Sequence, residues 1–284
     1  MSPVIFGSGI VDGFVLALVA VGFTLIYKAT RVVNFANGEM MIAGAFVMWF
    51  TVDRFHWPFI AALAAGVGAG AVLGIVTDRI YMAPVRRASL MTQVMVLLAL
   101  ANILDGGFIL VFGPETRFVQ PYAPTIGVVP GLGWSVMDMV IMATTTVVVA
   151  ALAGFLYFTN WGMQMRAAAD NPVGASLIGV NPNSVALSAW ALGGAITALG
   201  GVLIIPKLSL DPSVGSTLTF LAFGAVVLGG FGSLLGAVVG GILIGVAQLV
   251  VAAMFSAGYE PLVSLLVMLG VLTLRPNGLL GGRT

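Results

Sequence analysis

The stretch IFGSGIVDGFVLALVAVGFTLIY, residues 5–27, carries a single charged side chain, that of Asp12. It is long enough to cross a membrane, because a helix needs about 20 apolar residues to span the hydrocarbon. Comparable apolar stretches recur at about 38–53, 58–80, 91–112, 137–158, 184–206, 214–233, 236–256 and 260–274. The stretches 38–53 and 214–233 are short or rich in glycine and are candidates for broken or re-entrant segments. We therefore predict an all-α polytopic membrane protein with about 8–9 transmembrane helices.

The composition agrees with this fold class. Of the 284 residues, 60% are hydrophobic and only 7% are charged, whereas an average soluble domain has about 25% charged residues. So few charges could not cover a soluble core, which excludes a cytosolic enzyme, a nucleic-acid-binding protein and a disordered chain. The apolar runs also exceed the strands of about 10 alternating residues that form a membrane β-barrel. The absence of cysteine and the single histidine argue against thiol chemistry and a metal site.

The distribution of Lys and Arg predicts the orientation. If nine crossings start from an outer N-terminus, eight basic residues lie in inner loops and three in outer loops; the inner ones are Lys28, Arg31, Arg79, Arg86, Arg87, Arg166, Arg275 and Arg283, and the outer ones are Arg54, Arg117 and Lys207. This bias fits the positive-inside rule. We therefore expect the N-terminus on the outer side of the membrane and the C-terminus in the cytoplasm. One transmembrane domain is expected to cover residues 1–284.

Two connections between the spans are long. The outer loop at about 113–135 is rich in Pro and Gly, which predicts turns. The inner connection at about 159–183 contains good helix formers, and Asn171 followed by Pro172 marks a second helix start. Gly179 is a natural helix stop. We predict two short helices joined by a bend, and we call this segment the elbow.

The elbow carries both charged and apolar candidates for contacts. Arg166 and Asp170 lie one turn apart and can pair. Val173, Leu177 and Ile178 leave an apolar face uncovered. Spacing alone leaves two interpretations open, a docking site for another protein and a helix lying along the membrane surface.

Small residues recur at helical spacing and predict close helix packing. The ladders are Gly66, Gly70 and Gly74, and Gly232, Gly236 and Gly240. For any single ladder, static packing is favoured over a sliding contact along a pathway.

A polar segment separates the first two apolar stretches, from Asn34 to Glu39. One interpretation is a simple helix start, with Asn37 as the cap before Gly38 and Glu39 in the first turn, where the helix dipole favours a negative charge. The other is a broken helix whose polar backbone lines a cavity. Periodicity favours the first.

Few other ionisable groups lie within the apolar stretches. Asp105 and Asn102 share one face of a predicted span, and a charge in lipid is a functional candidate by default. The sequence also lacks the Gly-x-x-x-x-Gly-Lys-Ser/Thr loop that cradles nucleotide phosphates. If ATP drives this protein, another chain must bind it.

Three stretches together resemble a known family. They are 22–39, with GFTLIY and VNFANGE; 166–179, starting RAAADN; and 229–241 with the terminal 275–281, which read GGFGS, GAVVGG and RPNGLLG. In order and spacing they are similar to the LivH-type permeases of branched-chain amino acid ABC importers. The resemblance covers nearly the whole chain and departs from the family in that Asn37 stands where many relatives have His.

The resemblance implies an assembly and a mechanism. A second, related permease would pair with this chain, two cytoplasmic ATPase subunits would bind below with ATP and Mg, and a periplasmic binding protein would deliver the solute. The chain itself would hold no cofactor and perform no covalent chemistry. The elbow would contact an ATPase, and the segment containing Asn34, Phe35, Asn37, Gly38 and Glu39 would belong to the translocation pathway. Solutes of the family include leucine, isoleucine and valine, and related systems carry other amino acids, amides, urea or aromatic acids.

Two other classes of protein remain open. A secondary transporter of small polar solutes would work without ATPase subunits and would need coupling-ion sites at discontinuous helices. A non-transporting scaffold would need neither an elbow nor a polar break.

Overall fold

A computed structural model of the chain describes residues 3–118, 127–129, 133–204, 206–207, 209–211, 214–255, 260–275 and 278–281. Residues 119–126 and 130–132 of the predicted outer loop lie outside these ranges. So do both chain ends and Arg283.

Helices dominate the described residues. In chain order they are α1 (Pro3–Thr30), α2 (Asn37–Phe55), α3 (Phe59–Val76), a π-helical turn (Thr77–Met82), α4 (Ala83–Val85), α5 (Leu90–Phe112), α6 (Val136–Phe158), α7 (Asn160–Asp170), α8 (Pro172–Leu177), α9 (Pro182–Ile204), α10 (Val214–Gly229), α11 (Leu234–Met254) and α12 (Glu260–Leu274). Two short antiparallel strands, β1 (Gly127–Val129) and β2 (Trp134–Ser135), form a small hairpin in the connection before α6.

The nine predicted apolar stretches coincide with α1, α2, α3, α5, α6, α9, α10, α11 and α12. Among the described residues, six helices are long and apolar enough to cross a membrane: Pro3–Thr30, Phe59–Val85, Leu90–Phe112, Val136–Phe158, Pro182–Ile204 and Leu234–Met254. The apolar helix α10 is shorter, and α2 carries Glu39, Asp53 and Arg54. The structure confirms the all-α polytopic fold class.

Close contacts between glycine-rich helices build the centre of the bundle. Along α3, the ladder of Gly66, Gly70 and Gly74 faces α9, where a Cβ on Gly66 would lie 2.7 Å from a methyl carbon of Val202. Gly236 and Gly240 of α11 abut the backbone of α10. In membranes such small residues allow the backbone approach on which helix association depends.

Gly232 does not belong to such a ladder, and its prediction as a helix-packing residue is wrong. It lies in the turn between α10 and α11 with a φ of +80°, and no atom lies within 4 Å of the position of a Cβ. The reason is that α11 starts two residues later, where the Ser233 side chain accepts a hydrogen bond from the Gly236 amide. Gly232 supplies the left-handed turn that precedes this cap.

The elbow consists of two short helices, as predicted. The Asn171 side chain accepts a 2.9 Å hydrogen bond from the Gly174 amide, so that α7 ends and α8 begins at this residue. Gly179 follows α8 with a φ of +87°, the left-handed conformation that terminates helices.

The predicted Arg166–Asp170 pair is wrong. Among the described residues no ion pair joins them, and Arg166 lies over the Tyr157 ring at 5.0 Å from its centroid. Its Nη2 also lies 3.5 Å from the Tyr157 carbonyl oxygen. The planar guanidinium stacks well on an aromatic face, and this contact directs it away from Asp170.

Ion pairs tie the bundle together at both ends. At the end that carries the elbow, Arg86 joins Asp78 of the π-helical turn to Asn183 in the first turn of α9. At the opposite end, Lys207 lies 2.8 Å from Asp138 and 3.4 Å from Asp12. Asp12, the one charge in the opening stretch, is therefore paired within the protein.

Candidate functional site

The chain between α1 and α2 is non-helical and runs deep into the bundle. From α2, the Asn37 side chain donates a 3.2 Å hydrogen bond to the Val19 carbonyl oxygen of α1. Val19 lies eleven residues before Thr30, the end of α1, and at 1.5 Å per residue this is about 16 Å along the helix. Residues 31–36 therefore return from the end of the bundle to its interior before α2 begins.

Asn37 does not cap α2, so this part of the simple helix-start interpretation is wrong. The cap position is Ala36 and it has no side-chain hydrogen bond. Asn37 already lies in the first turn and is fully buried. There it accepts a 3.3 Å hydrogen bond from the Thr197 hydroxyl of α9. Its amide connects α1, α2 and α9 and does not serve its own helix end.

Asn34 shapes the break itself. Its side-chain oxygen accepts a 3.0 Å hydrogen bond from the Ala36 amide, a local turn that Asn commonly makes. Both residues are fully buried. Non-helical backbone within a membrane bundle persists only where protein groups or water satisfy it, and here Asn34 supplies one of the required acceptors.

The first turns of α2 and α10 meet beside the break. The Gly38 amide donates a 2.8 Å hydrogen bond to the Thr219 hydroxyl. A Cβ on Gly38 would overlap the Gly215 carbonyl oxygen, and one on Gly215 would lie 2.5 Å from a carboxylate oxygen of Glu39. The absence of side chains on Gly38 and Gly215 thus lets the two helix starts enclose Glu39.

A cavity of about 210 Å³ opens at this junction, between the break and helices α2, α5 and α10. Its lining is part polar and part apolar and comprises Phe35, Glu39, Leu98, Ala101, Asn102, Asp105, Ser216, Thr219 and Phe220. Of the predicted pathway residues, Phe35 and Glu39 line the cavity. Asn34, Asn37 and Gly38 instead hold the break in place beside it.

Two acidic side chains face the cavity, one from α2 and one from α5. Glu39 is only 1% exposed, and its Oε2 atom has no hydrogen-bond partner among the described residues. The Oδ1 atom of Asp105 likewise has no hydrogen-bond partner among the described residues. The sequence marked Asp105 and Asn102 as candidates, and the structure places them opposite the polar break.

The sequence does not predict the contribution of α10 to the cavity. Ser216, Thr219 and Phe220 line the cavity, although they lie some 180 residues after the break. The available signal was weak: a hydroxyl at positions i and i+3 in an apolar run marks one polar face of a helix.

The elbow contacts the same break at its other end. Arg31, which follows α1, donates a 3.1 Å hydrogen bond from Nη2 to the Ala169 carbonyl oxygen of α7. Its φ of +59° is uncommon for a residue other than glycine. A single residue thus links the last turn of α7 to the segment that leads to Glu39.

The apolar face predicted on α8 is uncovered. Val173, Leu177 and Ile178 are 72%, 84% and 76% exposed, whereas Ala175 on the same helix is buried against the bundle. The helix α8 therefore packs one small residue inward, while α8 and the residue that follows it expose three large apolar side chains. In the described part of the chain, no group of three or more His, Cys, Asp or Glu residues could hold a metal ion.

Comparison with known proteins gives matches over nearly the whole chain. Residues 5–272 match the family model described as the permease component of the branched-chain amino acid transport system. The chain is 27% identical to the high-affinity branched-chain amino acid transport system permease protein BraD of Pseudomonas aeruginosa, and 28% identical to LivH of Escherichia coli, which is named likewise. Each alignment covers 96% of this chain and 94% of the relative.

A solved structure shares the fold. One chain of PsaBC from Streptococcus pneumoniae, determined in complex with Fab, superposes with a TM-score of 0.51 at 12% identity, over 95% of this chain and 91% of that chain. At this identity the likeness concerns the fold alone. The family match, which spans all nine apolar helices from α1 almost to the end of α12, identifies the chain as a member of the branched-chain amino acid transport system permease family.

Proposed function

We propose that this chain is the membrane-spanning permease subunit of a binding-protein-dependent ABC importer for branched-chain or related amino acids. The observation that carries the proposal is the family match over residues 5–272. Relatives that align over 94% of their own length are named for branched-chain amino acid transport. In this proposal the whole chain forms one permease domain in the bacterial inner membrane, with its N-terminus in the periplasm.

The cavity beside Glu39 is the proposed section of the translocation pathway within this chain. It combines a polar break, two facing acidic groups and an apolar wall, features that discontinuous helices provide at solute sites of transporters. The cavity is also open at the surface of this chain, because its lining residues Phe220 (50% exposed) and Asn102 are exposed. The second permease subunit is proposed to close this opening, so that the solute passes between the two chains.

The elbow is the proposed contact with an ATPase subunit. Its uncovered residues Val173, Leu177 and Ile178 form an apolar face at the end of the bundle that holds most of the basic residues. The two partner ATPases would bind ATP and Mg, and their closure would shift the elbow as a rigid body. Through Arg31 this movement would reach the break and the cavity, and so alternate access from the two sides.

Solute selection is proposed to rest mainly with a periplasmic binding protein. A cavity that held the solute tightly would slow its release, so this pathway should bind weakly. Neither nucleic acid nor a cofactor on this chain has a role in the scheme.

Uptake by reconstituted vesicles tests the proposal. The complex of this chain, a second permease and two ATPases is placed in liposomes with ATP inside and the binding protein with radiolabelled leucine outside. We expect uptake that requires both ATP and the binding protein. Vesicles with this chain alone are the control, and uptake by those vesicles would establish the secondary transporter instead.

A further inference from the structure

Building on the proposed function, we infer that the cavity between α2, α5 and α10 binds a primary ammonium group carried on an apolar stem, with Glu39 and Asp105 as its anionic partners. The inference assigns the amine of the solute, and not its carboxylate, to this chain. It also makes the permease itself a determinant of which solutes pass.

The first argument is the unmet hydrogen bonding of the two acids. Glu39 Oε2 and Asp105 Oδ1 are both shielded from solvent and have no partner among the described residues. Such a group loses its hydrogen bonds to water without compensation, which is unfavourable and more so when the group is charged. A ligand that donates to both atoms would remove this cost.

The second argument is the unbalanced charge. The ion pairs of the described residues use the acids Asp12, Asp78, Glu115 and Asp138, but neither acid of the cavity. Among the residues that the structure describes, no Lys, Arg or His lines the cavity. The first turns of α2 and α10 direct their positive dipole ends towards Glu39 and favour its negative charge, while burial opposes it. A cationic ligand completes the balance.

The third argument is the shape and chemistry of the wall, which favours an organic cation. Phe35, Leu98 and Phe220 contribute large apolar side chains to the lining, and these side chains offer a metal ion no oxygen ligand. An ammonium group has three donors and is attracted to aromatic faces, so it can use the acids and the phenylalanines together. The volume of about 210 Å³ lies below the roughly 300–1,000 Å³ of cavities for drug-sized ligands and suits a small solute.

These arguments predict a specific order of preference. An aliphatic amine should bind, because it offers the cation and the apolar stem. The corresponding carboxylic acid should not bind, because two acids repel it. An amino acid should bind with its carboxylate directed to the open side of the cavity, away from Glu39.

The test measures binding to the full chain in lipid nanodiscs by isothermal titration calorimetry. The probes are 3-methylbutylamine, which is leucine without its carboxylate, and 4-methylpentanoate, which is leucine without its amino group. We expect saturable binding of the amine and none of the acid. Glu39→Gln and Asp105→Asn, which keep the shape of each side chain, should each weaken amine binding at least tenfold.

Asp53→Asn is the matched control, because it removes the same charge from an exposed position on the same helix α2; it should leave amine binding unchanged. Thermal unfolding of each variant verifies folding, and Asp105→Asn serves as the second variant should Glu39→Gln fold poorly. The titrations above use a sodium-free buffer with sucrose as the osmolyte. A further titration uses about 0.1 M NaCl in place of the sucrose, a salt concentration at which a buried ion pair is little screened. Loss of amine binding in NaCl would identify an inorganic cation as the ligand and overturn the inference.

The inference also fails if the amine does not bind, or if both cavity variants bind it like the unchanged chain. These failures are separate from that of the proposed function. ATP-driven leucine uptake by a complex that carries Glu39→Gln, at an unchanged rate, would refute the ammonium site and leave the importer assignment intact. Absence of uptake by the unchanged complex would refute the importer, whatever the calorimetry shows.

Discussion

At Gly38, the first turn of α2 approaches α10 so closely that a methyl group would overlap the carbonyl oxygen of Gly215. We expect Gly38→Ala to destabilise the protein by about 1–3 kcal/mol, the usual cost of overpacking. It should also weaken the hydrogen bond from Gly38 to Thr219. The measurement is thermal unfolding of the purified chain in detergent.

Gly68→Ala is the control for this substitution. Gly68 lies within α3, and a Cβ there meets no atom within 4 Å. The gain in helix propensity should stabilise the chain by about 0.5–1 kcal/mol. Equal unfolding temperatures for the two variants would show that the contact between α2 and α10 is loose in the membrane protein.

The polar residues of the break show what local sequence can and cannot reveal. Their position and polarity predicted a special segment, and Glu39 lies in the first turn of α2 as expected. The role of Asn37 could not be predicted, because its partners Val19 and Thr197 lie 18 and 160 residues away. A capping signal and a buried interhelical hydrogen bond use the same side chain, and only the packing distinguishes them.

At the scale of single elements, the elbow was predicted almost completely. Its helix start at Asn171-Pro172 and its stop at Gly179 depend on hydrogen bonds and backbone angles within a few residues, so the sequence contains the necessary information. The exposed face of α8 also followed from spacing. The contact of Arg166 with Tyr157 did not follow from spacing, because Asp170 and Tyr157 are both within reach of the Arg166 guanidinium and spacing does not decide between them.

Leu177→Asp tests the elbow as an ATPase contact. Burying one side chain such as Leu177 in a groove contributes roughly 1.5–3 kcal/mol, so its replacement by a charge should release the ATPase or abolish substrate-stimulated ATP hydrolysis. Arg166→Ala should have a weaker effect, because Arg166 contacts Tyr157 of its own chain. Co-purification of the ATPase with each variant measures this.

Ser176→Asp is the control for the added charge, since Ser176 is exposed on the same helix. We expect it to retain more ATPase than Leu177→Asp does. Wild-type binding and coupling in Leu177→Asp would mean that α8 lies on the membrane surface.

Arg31 tests the connection between the elbow and the break. Removing its hydrogen bond to Ala169 should leave the ATPase bound but lower the amount of leucine imported per ATP hydrolysed several-fold. The variant is Arg31→Ala, and Arg79→Ala is its control, an exposed arginine at the same end of the bundle. If both variants import as much leucine per ATP as the unchanged complex, movement reaches the cavity by another route.

At the scale of the whole molecule, the positions of the membrane helices followed from the sequence. The stretches predicted at 91–112 and 137–158 became Leu90–Phe112 and Val136–Phe158, because the length of apolar sequence required by lipid is a local property. The π-helical turn at Thr77–Met82 was not predicted. The cavity also was not, because it requires α2, α5 and α10 to meet in space.

The orientation of the molecule is tested at its two ends. The excess of Lys and Arg in one set of loops predicts that Met1 lies in the periplasm and Thr284 in the cytoplasm. Fusions of alkaline phosphatase and of green fluorescent protein at each end report the side. We expect phosphatase activity only from the fusion at Met1 and fluorescence only from the fusion at Thr284. Phosphatase activity from the fusion at Thr284 would show that the orientation is the opposite of the predicted one.

The depth of the break has a consequence for the order in which the protein is made. Asn37 and Gly38 leave the ribosome long before Thr197 and Thr219, which follow them by 160 and 181 residues. Until Thr219 is synthesised, the Gly38 amide lacks its hydrogen-bond acceptor, and an unsatisfied backbone group in the bilayer costs several kcal/mol. We therefore expect the start of α2 to reach its final position only after α9 and α10 have inserted. Because α10 supplies part of the lining, we expect a nascent chain that ends before α10 to lack this cavity.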